Sequence, residues 1–458
     1  MNNYLNKIKS LFNKFKKKPA PNRLDSQGGG RNDYAKNITK LVSATAIGQA
    51  VPGVVGLIIS RMYTPAQFGE FGALNAIFSV FLVLTTCMYE QAIMLPEDDN
   101  DAFALTIGAT VLSAATSLLW FILLIIRPIR LFVAGVFGEK EFAHTLNWLA
   151  LYLFFGAGYQ IANYWVNRKG MYNQLSANRV IKALSISGIN LGFGFKPLNK
   201  MFNGVIIGRI AGEAISWIGL VLRVWKKELY RFKSITPSLV LTQLKRYRKF
   251  PIMIVPARLI NAIAQQTPVL LLSTLFSLTV QGGFSYTYTL LGIPVSLISR
   301  AAGDVFRENA SILYAKGQSC RELMLKTLKP LALYSAPVFA LLMIFSPKLI
   351  PLLLGPDWTL AGEFVQILTP AFFMMFIVTP FSFMFMIAER QEFELCWQAA
   401  FVVMNICGFM LGYYVTGHSA KGALIGFTIS HTLMHVIDGV ISYFLACGKW
   451  RRRKVLTS

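Results

Sequence analysis

The sequence predicts an all-α polytopic membrane protein of about twelve transmembrane helices, and three observations predict it. First, 54% of the 458 residues are hydrophobic and only 14% charged, with mean hydropathy +0.51. Soluble domains carry charge on about a quarter of their residues. Second, the apolar residues fall into runs of about 20, the length a helix needs to cross the hydrocarbon core. Third, a landmark recurs. Gly69-Glu70-Phe71 is matched by Gly282-Gly283-Phe284, and Phe137-Gly138 followed by Ala143 is echoed by Leu354-Gly355 followed by Ala361. Their glycines stand 213 and 217 residues apart. Two landmarks at nearly one offset imply a duplicated half.

Residues 1–37 form a basic tail and linker. LNKIKSLFNKFKKK gathers Leu5, Ile8, Leu11, Phe12 and Phe15 near one helical face opposite lysines. That pattern suits a helix on anionic lipid, or a solvated tail that only fixes orientation. No apolar region follows, so it is not a cleavable signal, and Pro19–Arg31 with its three glycines reads as flexible linker. Spans are then expected near 38–60, 67–88, 102–126, 146–166, 179–195 and 203–222, making the N-terminal half 38–222. A basic connection, 223–250, follows. The C-terminal half, 251–447, holds spans near 251–276, 284–303, 327–346, 363–387, 397–414 and 422–447, before a basic tail, 448–458.

Lys and Arg in short loops set orientation. The side of the N-terminus holds 35 of them, with Arg168, Lys169, Arg179 and Lys182 assigned to the connection after the fourth span, and the opposite side 8. Both termini are therefore expected in the cytoplasm. Because each half has an even number of spans, the repeat is parallel, six plus six.

The net charge of +24 does not point to nucleic acid, because the bases lie between apolar spans rather than on one face of a soluble fold. Five cysteines sit in spans or expected cytoplasmic loops, which suggests neither disulfides nor zinc. Gly192 and Gly194 are too few for a phosphate loop and no Walker sequence is present, so ATP is not the expected energy source and no cofactor is implied. The run EDDND at 97–101 contains an Asp-x-Asp, but without a cytosolic nucleotide-binding domain it reads as an acidic cap on the helix from Ala102.

Charges inside spans mark sites, because a bare charge at the bilayer centre costs about 3 kcal/mol. Arg258 shares a face with Asn261 and Gln265, and a guanidinium presents several N–H donors to a phosphate. Its plainer alternative is snorkelling or pairing with a helix-end carbonyl. Arg209 and Glu213, at i and i+4, suit a self-neutralising ion pair or substrate contact. His431, His435 and Asp438 share one face at i, i+4 and i+7; they suit a proton or cation relay, or residues hydrogen-bonded in place. Gln49, with Pro52 and Gly53, suits a bent first helix with polar groups at mid-depth, or ordinary packing.

The pattern Arg61-x-x-Thr64-Pro65-x-x-Phe68-Gly69-x-Phe71-Gly72 resembles the first outside turn of the Wzx-type polysaccharide exporters. These are a branch of the multidrug/oligosaccharidyl-lipid/polysaccharide superfamily. Tyr89-Glu90-x-Ala92-Ile93-x-Leu95-Pro96 and Leu354-Gly355-x-x-Trp358-x-x-Ala361 through Pro370 resemble the same branch, over about residues 38–446. One position departs: Met88 stands where the branch often has Arg.

The resemblance implies two MATE-like six-helix bundles facing across a central cavity, with Arg61 among its polar residues. It also implies alternating access, a bacterial inner-membrane location, and undecaprenyl-pyrophosphate-linked sugar units for O-antigen, capsule or exopolysaccharide as substrate. Partners would be membrane lipids and the polysaccharide polymerase and chain-length machinery. On this reading the chain is not an enzyme. Two other functions make different demands on the sequence. A membrane polymerase or ligase would need a large outside loop, which is missing from the sequence. A cation-coupled drug exporter would need more carboxylates within spans than Glu213 and Asp438.

Overall fold

A computed structural model of the chain describes residues 55–135, 142–195, 202–228 and 234–449, together with Gly53 and Leu198. Those residues are helical almost throughout, with no strand among them. Eight helices among them are long and apolar enough to cross a membrane. The basic N-terminal tail, most of the expected first span and the last residues of the chain lie outside the described residues.

In the first half, α1 (Pro65–Thr86), α2 (Asp99–Ile125), α3 (Leu149–Arg168), α4 (Tyr172–Phe193) and α5 (Gly204–Glu228) match expected spans two to six. A short α6 (Pro237–Arg246) lies in the basic connection and packs on α2. In the second half, α7 (Val255–Leu275), α8 (Leu278–Pro294) and its continuation α9 (Arg300–Ala315) come first. They are followed by α10 (Arg321–Leu354), α11 (Thr359–Val378), α12 (Gln391–Val415) and α13 (Ala420–Ala446). The α8–α9 rod runs 38 residues with a π-helical turn at Val295–Ser299, directly after Pro294. A proline inside a helix lacks the N–H for the regular ladder, and a wider turn absorbs the misfit.

Thr64-Pro65, expected as turn chemistry, is the start of α1. Thr64 and Gln67 cap each other, with Thr64 N–H donating to Gln67 Oε1 at 3.0 Å, and Pro65 occupies the first turn. Its counterpart one repeat later is Ser277, whose hydroxyl caps α8 through the Val280 N–H at 3.3 Å. The repeat inferred from glycines thus extends to the caps.

Each half has its own core. The first stacks Phe78 flat on Tyr152, ring centres 3.6 Å apart, where Gly156 makes room: a Cβ there would lie 2.6 Å from the Phe78 ring. The second packs Phe364, Phe372, Phe409 and Phe427 around Phe284 and Trp358. Glycines bring α12 and α13 together. A Cβ on Gly412 would lie 2.1 Å from the Gly422 carbonyl oxygen, and one on Gly426 2.0 Å from that of Gly408. Such small-xxx-small pairs, Gly408/Gly412 and Gly422/Gly426, let backbones touch where lipid provides no hydrophobic drive to pack.

One assignment is corrected. Arg179 and Lys182, counted above in a loop, lie inside α4. The run YNQLSANRVIKALSISG carries both cations into the helix, and Lys182 is tolerated there because a carboxylate on α5 meets it.

Candidate functional site: a cavity between the halves

The two halves meet at α1 and α8. A Cβ on Gly69 would stand 1.8 Å from the Leu278 carbonyl oxygen, and one on Gly282 1.8 Å from that of Pro65. Nearby, Arg61 crosses to the second half. Its Nε and Nη2 donate to the carbonyls of Leu353 (2.8 Å) and Leu352 (2.7 Å), capping the C-terminal end of α10. Trp358 Nε1–H reaches back to the Ser60 carbonyl at 2.8 Å. Arg61 therefore latches the halves at this end.

Next to this contact lies a cavity of 730 Å3, lined by the residues just before α1 and by α1, α4, α5, α7, α8, α11, α12 and α13. It brings together four of the residues singled out in the sequence: Arg209, Gln265, His431 and His435. Arg258, Asn261, Glu213, Arg61 and Asp438 are not in its lining, and Gln49 lies outside the described residues.

Arg209 is held from behind. Its Nε donates to Tyr152 Oη (3.0 Å), whose hydroxyl donates to Asn75 Oδ1 (2.9 Å). Glu213, 3% exposed, sits 3.5 Å from the same Nε and accepts from Lys182 Nζ at 2.5 Å. The expected Arg209–Glu213 pair is present, and Lys182 makes it a triad with an excess positive charge. A buried carboxylate with two cations is neutralised with one to spare, and the spare belongs to the partly exposed Arg209. Sequence reasoning missed Lys182, Tyr152 and Asn75. A lysine one helical face away from other polar groups in a weak span was the available signal.

On α7, Gln265 donates to Asn261 Oδ1 at 2.7 Å, and Gln265, Gln266 and Thr267 face the cavity. Arg258 is exposed, two turns nearer the start of α7. It acts on Glu90 of the first half, a fully buried carboxyl that accepts from Gln160 at 2.9 Å. Burial pushes the Glu90 carboxyl up, and its hydrogen bonds, those from Thr86 and Gln160 among them, oppose that, with the Arg258 charge a smaller contribution.

On α13, His431 and His435 bring their Nε2 atoms to 3.3 Å. Asp438 makes no hydrogen bond with either. It accepts from Ser382 Oγ at 2.7 Å and Ser442 Oγ at 3.2 Å, the geometry of a packed polar group. The acidic run at the start of α2 also has structural partners, with Asp99 held by Lys169 (2.5 Å) and Arg168 (3.2 Å). All five cysteines are free thiols.

A family profile described as "Polysaccharide biosynthesis protein" matches residues 58–362, well over half of the chain. The chain belongs to that family. Among curated relatives, this family member is 21% identical over 346 residues to the teichuronic acid biosynthesis protein TuaB of Bacillus subtilis (strain 168). The match covers 74% of the chain and 66% of TuaB, just short of two thirds of that relative's length.

Solved structures share the fold. A multidrug resistance MATE family transporter of the MOP superfamily, in an inward-facing conformation, superposes with TM-score 0.64 at 15% identity. That match covers 89% of this chain and 94% of that one. The lipid II flippase MurJ gives TM-score 0.64 at 12% identity over 89% and 87% of the two chains. The protein is a multi-pass membrane protein that shares the fold of these solved structures, in a family named for polysaccharide biosynthesis.

Proposed function

We propose that this protein is a flippase that carries undecaprenyl-pyrophosphate-linked oligosaccharide units across the bacterial inner membrane by alternating access. The observation that carries this is the charge of the cavity. Among the described lining residues there is one guanidinium, Arg209, a set of amides and hydroxyls, and no carboxylate. A pyrophosphate-linked sugar is anionic and polar, and cannot enter hydrocarbon without large desolvation cost. A wet cavity with a guanidinium replaces its lost hydration, while the polyprenyl tail stays in lipid.

A drug exporter for organic cations needs the opposite polarity. Here Glu213 is spent on Arg209 and Lys182, and Asp438 on two serines. With both termini in the cytoplasm, the Gly69–Gly282 end is the outer one, and the halves are closed against each other there. Delivered units then pass to the polymerase and chain-length machinery for O-antigen, capsule or exopolysaccharide.

The test is deletion in the native host. Surface glycan should vanish while lipid-linked units accumulate in the inner leaflet, and a plasmid copy should restore export. A deletion strain with normal surface glycan would sink the reading.

A further inference from the structure

We propose that the α12–α13 wall of the cavity is a glycan subsite, distinct from the guanidinium on the opposite wall. It binds the first sugar rings of the cargo through an aromatic face and unspent hydrogen-bonding groups. The proposal rests on the flippase reading and names which part of the cargo each wall takes.

The wall is built by spacing and close packing. Trp397, Phe401 and Asn405 follow at i, i+4 and i+8, so they form one stripe along α12, and each lines the cavity. The glycine contacts between α12 and α13 press that stripe against His431 and His435. Trp397 is fixed by its Nε1–H, which donates to the Met434 carbonyl at 3.0 Å. The Phe401 ring lies 4.9 Å from Trp397, 4.9 Å from His431 and 5.6 Å from His435. The result is a rigid set of rings with one side on the cavity.

Among these rings sit polar atoms with nothing to bind. Asn405 is 8% exposed, His431 4% and His435 7%, yet Asn405 Oδ1 and both imidazole Nδ1 atoms have no hydrogen-bond partner. Buried polar groups are nearly always satisfied, so unsatisfied ones lining a cavity point to a ligand that completes them. Two imidazoles and an amide offer both donors and acceptors.

A ligand matching this wall has an apolar face for the rings and a rim of hydroxyls that both donate and accept. A hexopyranose has that shape: axial C–H bonds make one face apolar and the hydroxyls radiate from its edge. A phosphate fits poorly, since it offers no apolar face and Arg209 awaits it across the cavity. An organic cation would suit the rings but finds no carboxylate among the described lining residues.

The experiment compares two probes on purified, reconstituted protein: undecaprenyl pyrophosphate carrying one N-acetylglucosamine, and undecaprenyl pyrophosphate alone. Trp397→Ala should weaken the glycosylated lipid about tenfold, the size of a lost ring contact, and change the bare lipid by less than about twofold. Trp397→Phe, which keeps a ring, should stay within about threefold of wild type, and Asn405→Leu should weaken only the glycosylated lipid. Arg209→Ala should weaken both probes. If Trp397→Ala and Asn405→Leu weaken both lipids alike, or neither, the subsite is overturned while the flippase reading stands. If wild type binds neither lipid but binds tetraphenylphosphonium, the flippase reading falls and the subsite with it.

Discussion

Gly69 and Gly282 occupy equivalent places in the two halves and meet at one junction, each against the other helix's first carbonyl. Pro65 and Leu278, whose oxygens receive them at 1.8 Å from a notional Cβ, are related by the same 213 residues. The contact is therefore two-fold symmetric within one chain. Any side chain at either glycine pushes backbone against backbone.

That geometry ranks three substitutions. Gly69→Ala and Gly282→Ala should each destabilise by about 1–3 kcal/mol, because no side chain can yield. At Gly72 the obstructing atoms are the ends of Gln281 and Ser285, 2.3 and 2.7 Å away, which can rotate. Gly72→Ala should therefore cost less. Thermal unfolding in detergent checks the order; a Gly72 variant less stable than the other two contradicts it.

The Arg209–Glu213–Lys182 triad predicts opposite effects for its two ends. Glu213→Gln leaves two cations facing each other in a buried place and should cost about 3 kcal/mol of stability. Arg209→Ala leaves a balanced Lys182–Glu213 pair, so the fold should survive while export falls. Measuring expression and melting beside surface glycan separates the two. Equal loss of stability in both would mean that Arg209 serves only the fold.

The topology predicts a labelling pattern. With the native cysteines replaced, Ser26→Cys and Ser458→Cys should stay unlabelled in intact cells, and Thr64→Cys, at the exposed start of α1, should label. The reverse pattern would overturn the assignment of sides.

Asp438 accepts from two serines and makes no hydrogen bond with the histidines, so its role should be structural. Asp438→Asn should lower the melting temperature, because an amide cannot accept from both hydroxyls as a carboxylate does. The pH profile of transport by surviving molecules should not change. Loss of the pH dependence at unchanged stability would instead assign Asp438 to proton coupling.

The sequence by itself determined the class of fold, the duplication and most helix positions, because bilayer thickness writes itself directly into the length of apolar runs. It also brought Arg209 and Glu213 within reach of each other, since i and i+4 are neighbours on any helix, while leaving open whether they pair or meet substrate. What it could not supply is which faces meet. Lys182 belongs to Glu213 only because α4 and α5 lie side by side. Arg61 is a latch only because α10 ends beside it, and α12 gives its aromatic stripe to the cavity only because four glycines seat it on α13. Those facts depend on contacts between residues distant in the chain, and helical periodicity carries no information about the partner. Arg258 shows the same boundary. Its face was readable from spacing, but its depth relative to the cavity was set by how α7 leans against the first half.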